Sequence, residues 1–286
     1  MTTKNYLSIY AKSFNWSGFF LPKEIYNKCS VLYDFCRTID NIADQNVELE
    51  IRKKELEEFK KKFEQRYKND SVIKNMWNLM DEKNISKRIV DDLFDGVSSD
   101  LKEEVKIKNE KELLVYCYRV AGTVGLMMAK IFGVQRKESL QRAIDLGIAM
   151  QLTNIARDVI EDAKKNRTYL IKESNNTFLD IKNTILKADT FYNSAFEGIR
   201  DIPINCRFSI IVARRVYRQI GKKILEKKDL ANYQKAGKIY VSDFGKIIQT
   251  ILSFLDLIKL FFIRSKEYEK KIEYNLINED IRLNER

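Results

Sequence analysis

Ala149-Met150-Gln151-Leu152-Thr153-Asn154-Ile155-Ala156-Arg157-Asp158-Val159-Ile160-Glu161-Asp162 is the stretch whose reading decides the fold. Placed at 100° per residue, Gln151, Asn154, Arg157, Asp158, Glu161 and Asp162 fall within roughly 140° of one another, with Leu152, Ala156, Val159 and Ile160 on the other side. Exposed helix faces elsewhere in the chain are written in Lys and Glu. A face of Gln, Asn, Arg and Asp flanked by apolar turns predicts a helix whose polar stripe lines a wet cavity. Asp158 and Asp162, one turn apart, stack their carboxylates on that face and can share a divalent ion cluster.

The arrangement recurs upstream in Val31-Leu32-Tyr33-Asp34-Phe35-Cys36-Arg37-Thr38-Ile39-Asp40-Asn41-Ile42-Ala43-Asp44, where Tyr33, Arg37, Asp40 and Asp44 share an arc of about 60°. Two helices thus carry an Asp-x-x-x-Asp pair with an Arg on or beside the acidic face. Paired acidic stripes facing one cavity repel each other unless cations lie between them. Mg²⁺ (or Mn²⁺) suits the case, because Mg²⁺ takes few protein carboxylates and fills its octahedron with water and substrate phosphate oxygens. The predicted ligand is a diphosphate.

With these residues in place, the chain resembles the squalene and phytoene synthase family, and bacterial phytoene synthases most. The resemblance rests on Ser13-Phe14 with Leu21-Pro22, on Cys36-Arg37-Thr38-Ile39-Asp40 through Asp44, on Tyr116-Cys117-Tyr118-Arg119-Val120-Ala121-Gly122-Thr123-Val124-Gly125, and on 151–162 continuing to Arg167-Thr168-Tyr169-Leu170. Order and spacing match over about residues 5–245. The resemblance implies an all-α, single-domain bundle of the isoprenoid-synthase type around a deep central cavity, with both aspartate pairs at its mouth. It implies Mg²⁺-dependent head-to-head condensation of two geranylgeranyl diphosphates, through a cyclopropyl diphosphate, to the carotenoid precursor phytoene. Carried over residue by residue, the metal ligands are Asp40, Asp44, Asp158 and Asp162. The catalytic set is Tyr33, Arg37, Tyr116, Arg157 and Tyr217. The substrate-binding set is Ser13, Phe14, Val124, Gly125, Gln151, Asn154, Arg167, Tyr169 and Tyr240, and Glu161 stands behind the ligands.

Two positions depart from relatives: Gly18 stands where some carry an aromatic residue, and Asn41 replaces a common acidic one. No nicotinamide cofactor is expected, since phytoene-type products form by proton loss and no glycine-rich dinucleotide motif is present. Farnesyl diphosphate, giving squalene or dehydrosqualene, is the rival substrate. A non-catalytic assembly-factor relative is a reading of another class, but it would be expected to lose motif aspartates. A terpene cyclase is disfavoured by the 116–125 and 167–170 blocks.

Composition agrees with helix. Only ten Gly and two Pro interrupt 286 residues of 44% hydrophobic content, enough for a sizeable core. Absence of an eighteen-residue uncharged apolar run, and of a hydrophobic signal core near Met1, predicts a cytosolic protein. Cys29, Cys36, Cys117 and Cys206 have no metal spacing and read as free thiols. The net charge of +11 is dispersed, which points away from nucleic acid and toward anionic substrates and a peripheral membrane surface. Histidine is absent, so chemistry falls to carboxylates, metals, tyrosines or the substrate itself.

Along the chain, Pro22 opens a helix over 23–44, and amphipathic patterns predict further helices over 48–68, 87–101, 179–200 and 208–226. The cluster Asp91, Asp92 and Asp95 offers a metal alternative. The apolar helix over 112–132 holds Ala121, Gly122 and Gly125; these either let helices pack closely or, as the resemblance favours, leave room for a prenyl chain. The basic turn 163–170 can fold over a bound diphosphate. Segment 246–263 is either the last core helix or an interfacial one. The catalytic domain is expected over 1–264, followed by a charged tail over 265–286. The chain's oligomeric state is not legible.

Overall fold

The computed structural model describes residues 12–262 together with 277, 279–281 and 283, with side chains from residue 15. Twelve α-helices carry these residues: α1 (Lys12–Gly18), α2 (Lys23–Ala43), α3 (Leu49–Glu64), α4 (Ser71–Lys83), α5 (Lys87–Ser98), α6 (Glu110–Cys117), α7 (Thr123–Ile131), α8 (Lys137–Lys164), α9 (Thr177–Gly198), α10 (Ile204–Leu225), α11 (Leu230–Ala236) and α12 (Asp243–Phe262). The fold is all-α, as the sequence predicts; the two-residue strands β1 (Val105–Lys106) and β2 (Arg167–Thr168) pair in parallel.

Local chemistry sets the starts. Pro22 and Pro203, with φ of −55° and −49°, stand directly before α2 and α10, where a fixed φ costs nothing. Asp70, Asn109, Asn176 and Asp229 accept first-turn backbone N–H groups with their side chains. The 28-residue α8, about 42 Å long, runs through the bundle against α7, α9 and α10. One large core gathers Phe35, Phe63, Phe94 and Tyr118; a second gathers Ile181, Val212, Ile220 and Tyr233. Helix α4, which lacked a motif to mark it, supplies Met76 and Trp77, the latter stacked on Phe63 at 5.0 Å.

The continuous helix expected over 112–132 is three pieces, because Tyr118–Gly122 forms a π-helical turn between α6 and α7. A Cβ on Gly147 would lie 2.2 Å from the Ala121 carbonyl oxygen, and one on Gly125 would lie 2.2 Å from that of Ala143. Two backbones therefore touch here. The missing side chain of Gly125 admits the α8 backbone, which favours close helix packing over room for a prenyl chain.

Most of 265–286 lies outside the described residues, but Ile277 and Ile281 are buried in the main core. At those two positions the expected solvated tail is core. The acidic cluster on α5 is dispersed among separate partners: Asp91 meets Lys87 at 2.7 Å, Asp92 accepts from the Tyr118 hydroxyl at 2.7 Å, and Asp95 meets Lys60 at 3.6 Å. The four cysteines are free.

Candidate active site

Asp40 and Asp44 from α2 and Asp158 and Asp162 from α8 line one polar chamber of about 340 Å³. Arg37, Tyr116, Arg157, Arg167 and Tyr169 line it too. Below it lies an apolar cavity of about 330 Å³ whose walls include Tyr33, Val124, Gly125 and Tyr217. Asp40, Val120, Gln151 and Asn154 belong to both walls, so the two chambers adjoin at these residues. An acidic mouth borders a greasy depth. The sequence brought these residues together correctly from two helices more than a hundred positions apart.

Burial dominates the electrostatics. It pushes the Asp40 carboxyl up to about 6, with Arg37 opposing and the charges of Asp44 and Asp100 adding. Asp162 rises to about 7 through burial and then the neighbouring Asp158, against Arg167 and Lys165. The other two carboxylates are paired. Asp44 accepts from Arg167 at 3.0 Å and Lys165 at 3.4 Å, so the basic turn after α8 does reach across the acidic rim. Asp158 accepts from Arg157 Nε at 2.7 Å, and Lys238 stands 3.5 Å away. Asn166 makes the turn possible with a left-handed φ of 56°, a conformation Asn tolerates.

Four carboxylates in one chamber, two with raised proton affinity, fit a hard divalent cation that neutralises them. Asn154 adds to that fit, since its Oδ1 is buried without a hydrogen-bond partner while its amide donates to Gln151 at 3.3 Å. Among the described residues no three metal-ligating side chains already converge on one point.

Two residues of these walls escaped the sequence. Asp100, just past α5, accepts from the Tyr169 hydroxyl at 2.7 Å and the Tyr116 hydroxyl at 3.0 Å, and the two rings stack at 4.7 Å. Its carboxyl is also raised by burial, against those hydrogen bonds. No spacing marks it: Ser98-Ser99-Asp100-Leu101 reads as an ordinary helix end. The β1–β2 pair, with Ile107 donating to the Thr168 carbonyl at 2.9 Å, sets Tyr169 over Asp100. Arg142 was also missed; it lines the apolar cavity as a buried ion pair with Glu197 at 2.9 Å.

Tyr240 lies apart from the other described residues of the substrate-binding set. It is 59% exposed and lines neither chamber, with the Arg157 guanidinium 6.0 Å from its ring. The side chains of Ser13 and Phe14 lie outside the described residues.

The raised carboxyls give a sign for metal binding. A folded pKa above the ordinary 3.8 means that the native protein holds protons the unfolded chain releases, so these groups cost stability progressively as pH rises from about 4 to 7. Mg²⁺ bound there would relieve that cost only where they are ionised. Saturating Mg²⁺ should raise the thermal midpoint by several degrees at pH 7.5 and by little at pH 5, as scanning fluorimetry would read; an equal rise at both would remove the assignment of these carboxylates to the metal.

A helical bundle with two Asp-x-x-x-Asp helices facing one chamber above an apolar cavity defines the class of all-α isoprenyl-diphosphate enzymes. A family profile described as squalene/phytoene synthase matches residues 8–178. The phytoene synthase of Pseudescherichia vulneris is 38% identical over 157 residues, covering 49% of this chain and 50% of that one, so the chain spans about half the length of that relative. The 15-cis-phytoene synthase of Pantoea ananas is 29% identical over 247 residues, covering 76% of this chain and 80% of that one. A crystal structure of a dehydrosqualene synthase in complex with ligand superposes with a TM-score of 0.71 at 25% identity, covering 89% of this chain and 94% of that one. The chain belongs to the squalene/phytoene synthase family, a family of prenyltransferases.

Proposed function

We propose that this chain condenses two molecules of geranylgeranyl diphosphate head to head into phytoene, with Mg²⁺ at Asp40, Asp44, Asp158 and Asp162. The observation that carries the reading is that the acidic chamber adjoins the apolar cavity, with Gln151 and Asn154 in the walls of both. Bound there, Mg²⁺ supplies positive charge that makes diphosphate a leaving group. Arg37, Arg157 and Arg167 add charge around the same oxygens, and Gln151 and Asn154 orient the diphosphate at the junction. The walls beneath exclude the water that would trap an allylic cation as an alcohol.

Four tyrosines, Tyr33, Tyr116, Tyr169 and Tyr217, surround this path, and burial raises the phenol pKa of each, Tyr33 to about 12. They stay protonated at neutral pH. Their ring faces and hydroxyl dipoles can stabilise a cation, while the final proton passes to released diphosphate, the strongest base left in a chamber without histidine. The enzyme works in the cytoplasm at a membrane surface, without a nicotinamide cofactor.

The similarity to a dehydrosqualene synthase structure favours farnesyl diphosphate as the second reading. Gly18 speaks for the longer substrate: it lines the apolar cavity, and a Cβ there would already meet the Tyr26 ring at 3.0 Å, so a bulky residue would take up cavity space. A missing five-carbon unit changes binding by only a few kcal/mol, so product analysis decides. Purified enzyme offered both diphosphates in equal amount should yield mainly a C40 hydrocarbon by mass spectrometry. A dominant C30 product would sink the phytoene assignment, and a strict NADPH requirement would move the chain to the squalene branch.

A further inference from the structure

Helix α12 is oriented unlike its neighbours. Among its described residues only Lys246, Ser253 and Leu260 are buried, while nine large apolar residues, among them Phe244, Ile251, Phe254, Leu255, Ile258 and Phe261, are exposed. At 100° per residue those nine fall within an arc of about 140°, and Gln249, Asp256 and Lys259 fill about the next 80°. The helix therefore turns its greasy side to solvent. Single exposed apolar residues are ordinary, but a contiguous helix face is not.

Two observations say what covers it. The first is charge. The polar flank borders a cavity of about 160 Å³ whose walls include Arg214, Arg215, Arg218, Lys222 and Lys259. Asp256 accepts from Arg215 at 2.6 Å and Asp189 takes Arg218 at 2.8 Å, which leaves a surplus of three positive charges beside the apolar face. Neither Lys222 nor Lys259 has an ion-pair partner among the described residues. The second is continuity with the substrate cavity. Phe254 packs on Phe208 at 4.5 Å, Phe208 on Phe20 at 5.1 Å, and Phe20 on Phe19 at 5.8 Å, and Phe19 is 85% exposed. Gly18 and Leu21, on either side of Phe19 and Phe20, line the apolar cavity.

We infer that the outer face of α12, extended by Phe208, Phe20 and Phe19, is the surface by which the protein docks on an anionic lipid bilayer, with lipid phosphate taken into the Arg215–Lys222–Lys259 cavity. An interfacial helix buries its apolar face at the headgroup boundary and keeps cations at its flank. The aromatic run then joins the bilayer to the rim of the cavity, giving a hydrocarbon product a path that avoids water. That last step rests on the proposed reaction; the docking does not.

The test uses the full chain, without any prenyl diphosphate, sedimented with vesicles of phosphatidylglycerol and phosphatidylcholine or of phosphatidylcholine alone. The wild type should bind the anionic vesicles and lose binding in high salt. Lys222→Gln/Lys259→Gln should raise the lipid concentration for half-binding more than tenfold, from about 1 kcal/mol per cation near the surface. Ile251→Glu/Phe254→Glu should abolish binding, with an unchanged thermal midpoint showing that the fold is intact. Lys53→Gln/Lys54→Gln, an equal charge change on the remote helix α3, should bind as the wild type does. Equal weakening by this remote pair, or unchanged binding by Ile251→Glu/Phe254→Glu, would overturn the inference. So would wild type that ignores anionic vesicles, or an Ile251→Glu/Phe254→Glu variant that only converts a dimer to monomer in ultracentrifugation.

Discussion

Asp40→Asn should reduce turnover by well over the ~10 to 100-fold typical of groups that merely orient a metal ligand, and at the same time make the metal-free protein more stable at pH 7. The two effects have one cause. Asp40 stands at the junction of the acidic chamber and the apolar cavity with its carboxyl pushed up to about 6 by burial, so at neutral pH the folded protein holds a buried charge at a cost. Stability falls as pH rises from about 4 to 6, and an amide of the same shape removes that dependence. What the amide cannot do is balance the charge of a cation between the helices. Asp158→Asn should lose turnover alike but without this gain, because it strips Arg157 of its carboxylate. Single-turnover product formation at saturating Mg²⁺ and denaturation midpoints at pH 5 and 7 would measure both. Near-normal Mg²⁺-dependent turnover by either variant would remove the metal assignment.

What could be read from sequence follows from where the information lies. The two Asp-x-x-x-Asp pairs are local patterns: four residues make one helical turn, so each pair's shared face is fixed before any packing is known. Their meeting in one chamber came from the reasoning that such stripes need a common cation, and the structure places them so. Asp100 was invisible because its role depends on Tyr116 and Tyr169 arriving from two other segments. Arg142 reads as an exposed charge on the start of α8, and only the approach of Glu197 from α9 makes it a buried one. The outward face of α12 has the same cause: an apolar helix pattern says that one side is greasy, not which side faces the core.

Gly147→Ala and Gly125→Ala should each cost about 3 kcal/mol or more, at the upper end of overpacking penalties, lowering the thermal midpoint by roughly 6–12 °C for a chain of this size. In both cases the added Cβ would sit 2.2 Å from a backbone carbonyl oxygen, of Ala121 and Ala143 respectively, so no flexible side chain can move aside. The π-helical turn and α8 would have to separate, and with them Val120 and Val124, which wall the substrate cavity. Helix propensity alone works the other way, since Ala is favoured over Gly by about 1 kcal/mol in a helix interior. The sign of the change therefore decides between the two roles that small residues can play here. Were Gly125 a spacer for the prenyl chain, Gly125→Ala would fold with equal or greater stability and shift the product toward shorter hydrocarbons. A cost in stability at both positions, with Gly18→Ala nearly neutral because only the Tyr26 ring stands 3.0 Å from its Cβ, would mark Gly125 and Gly147 as the contact that holds the cavity wall to α8.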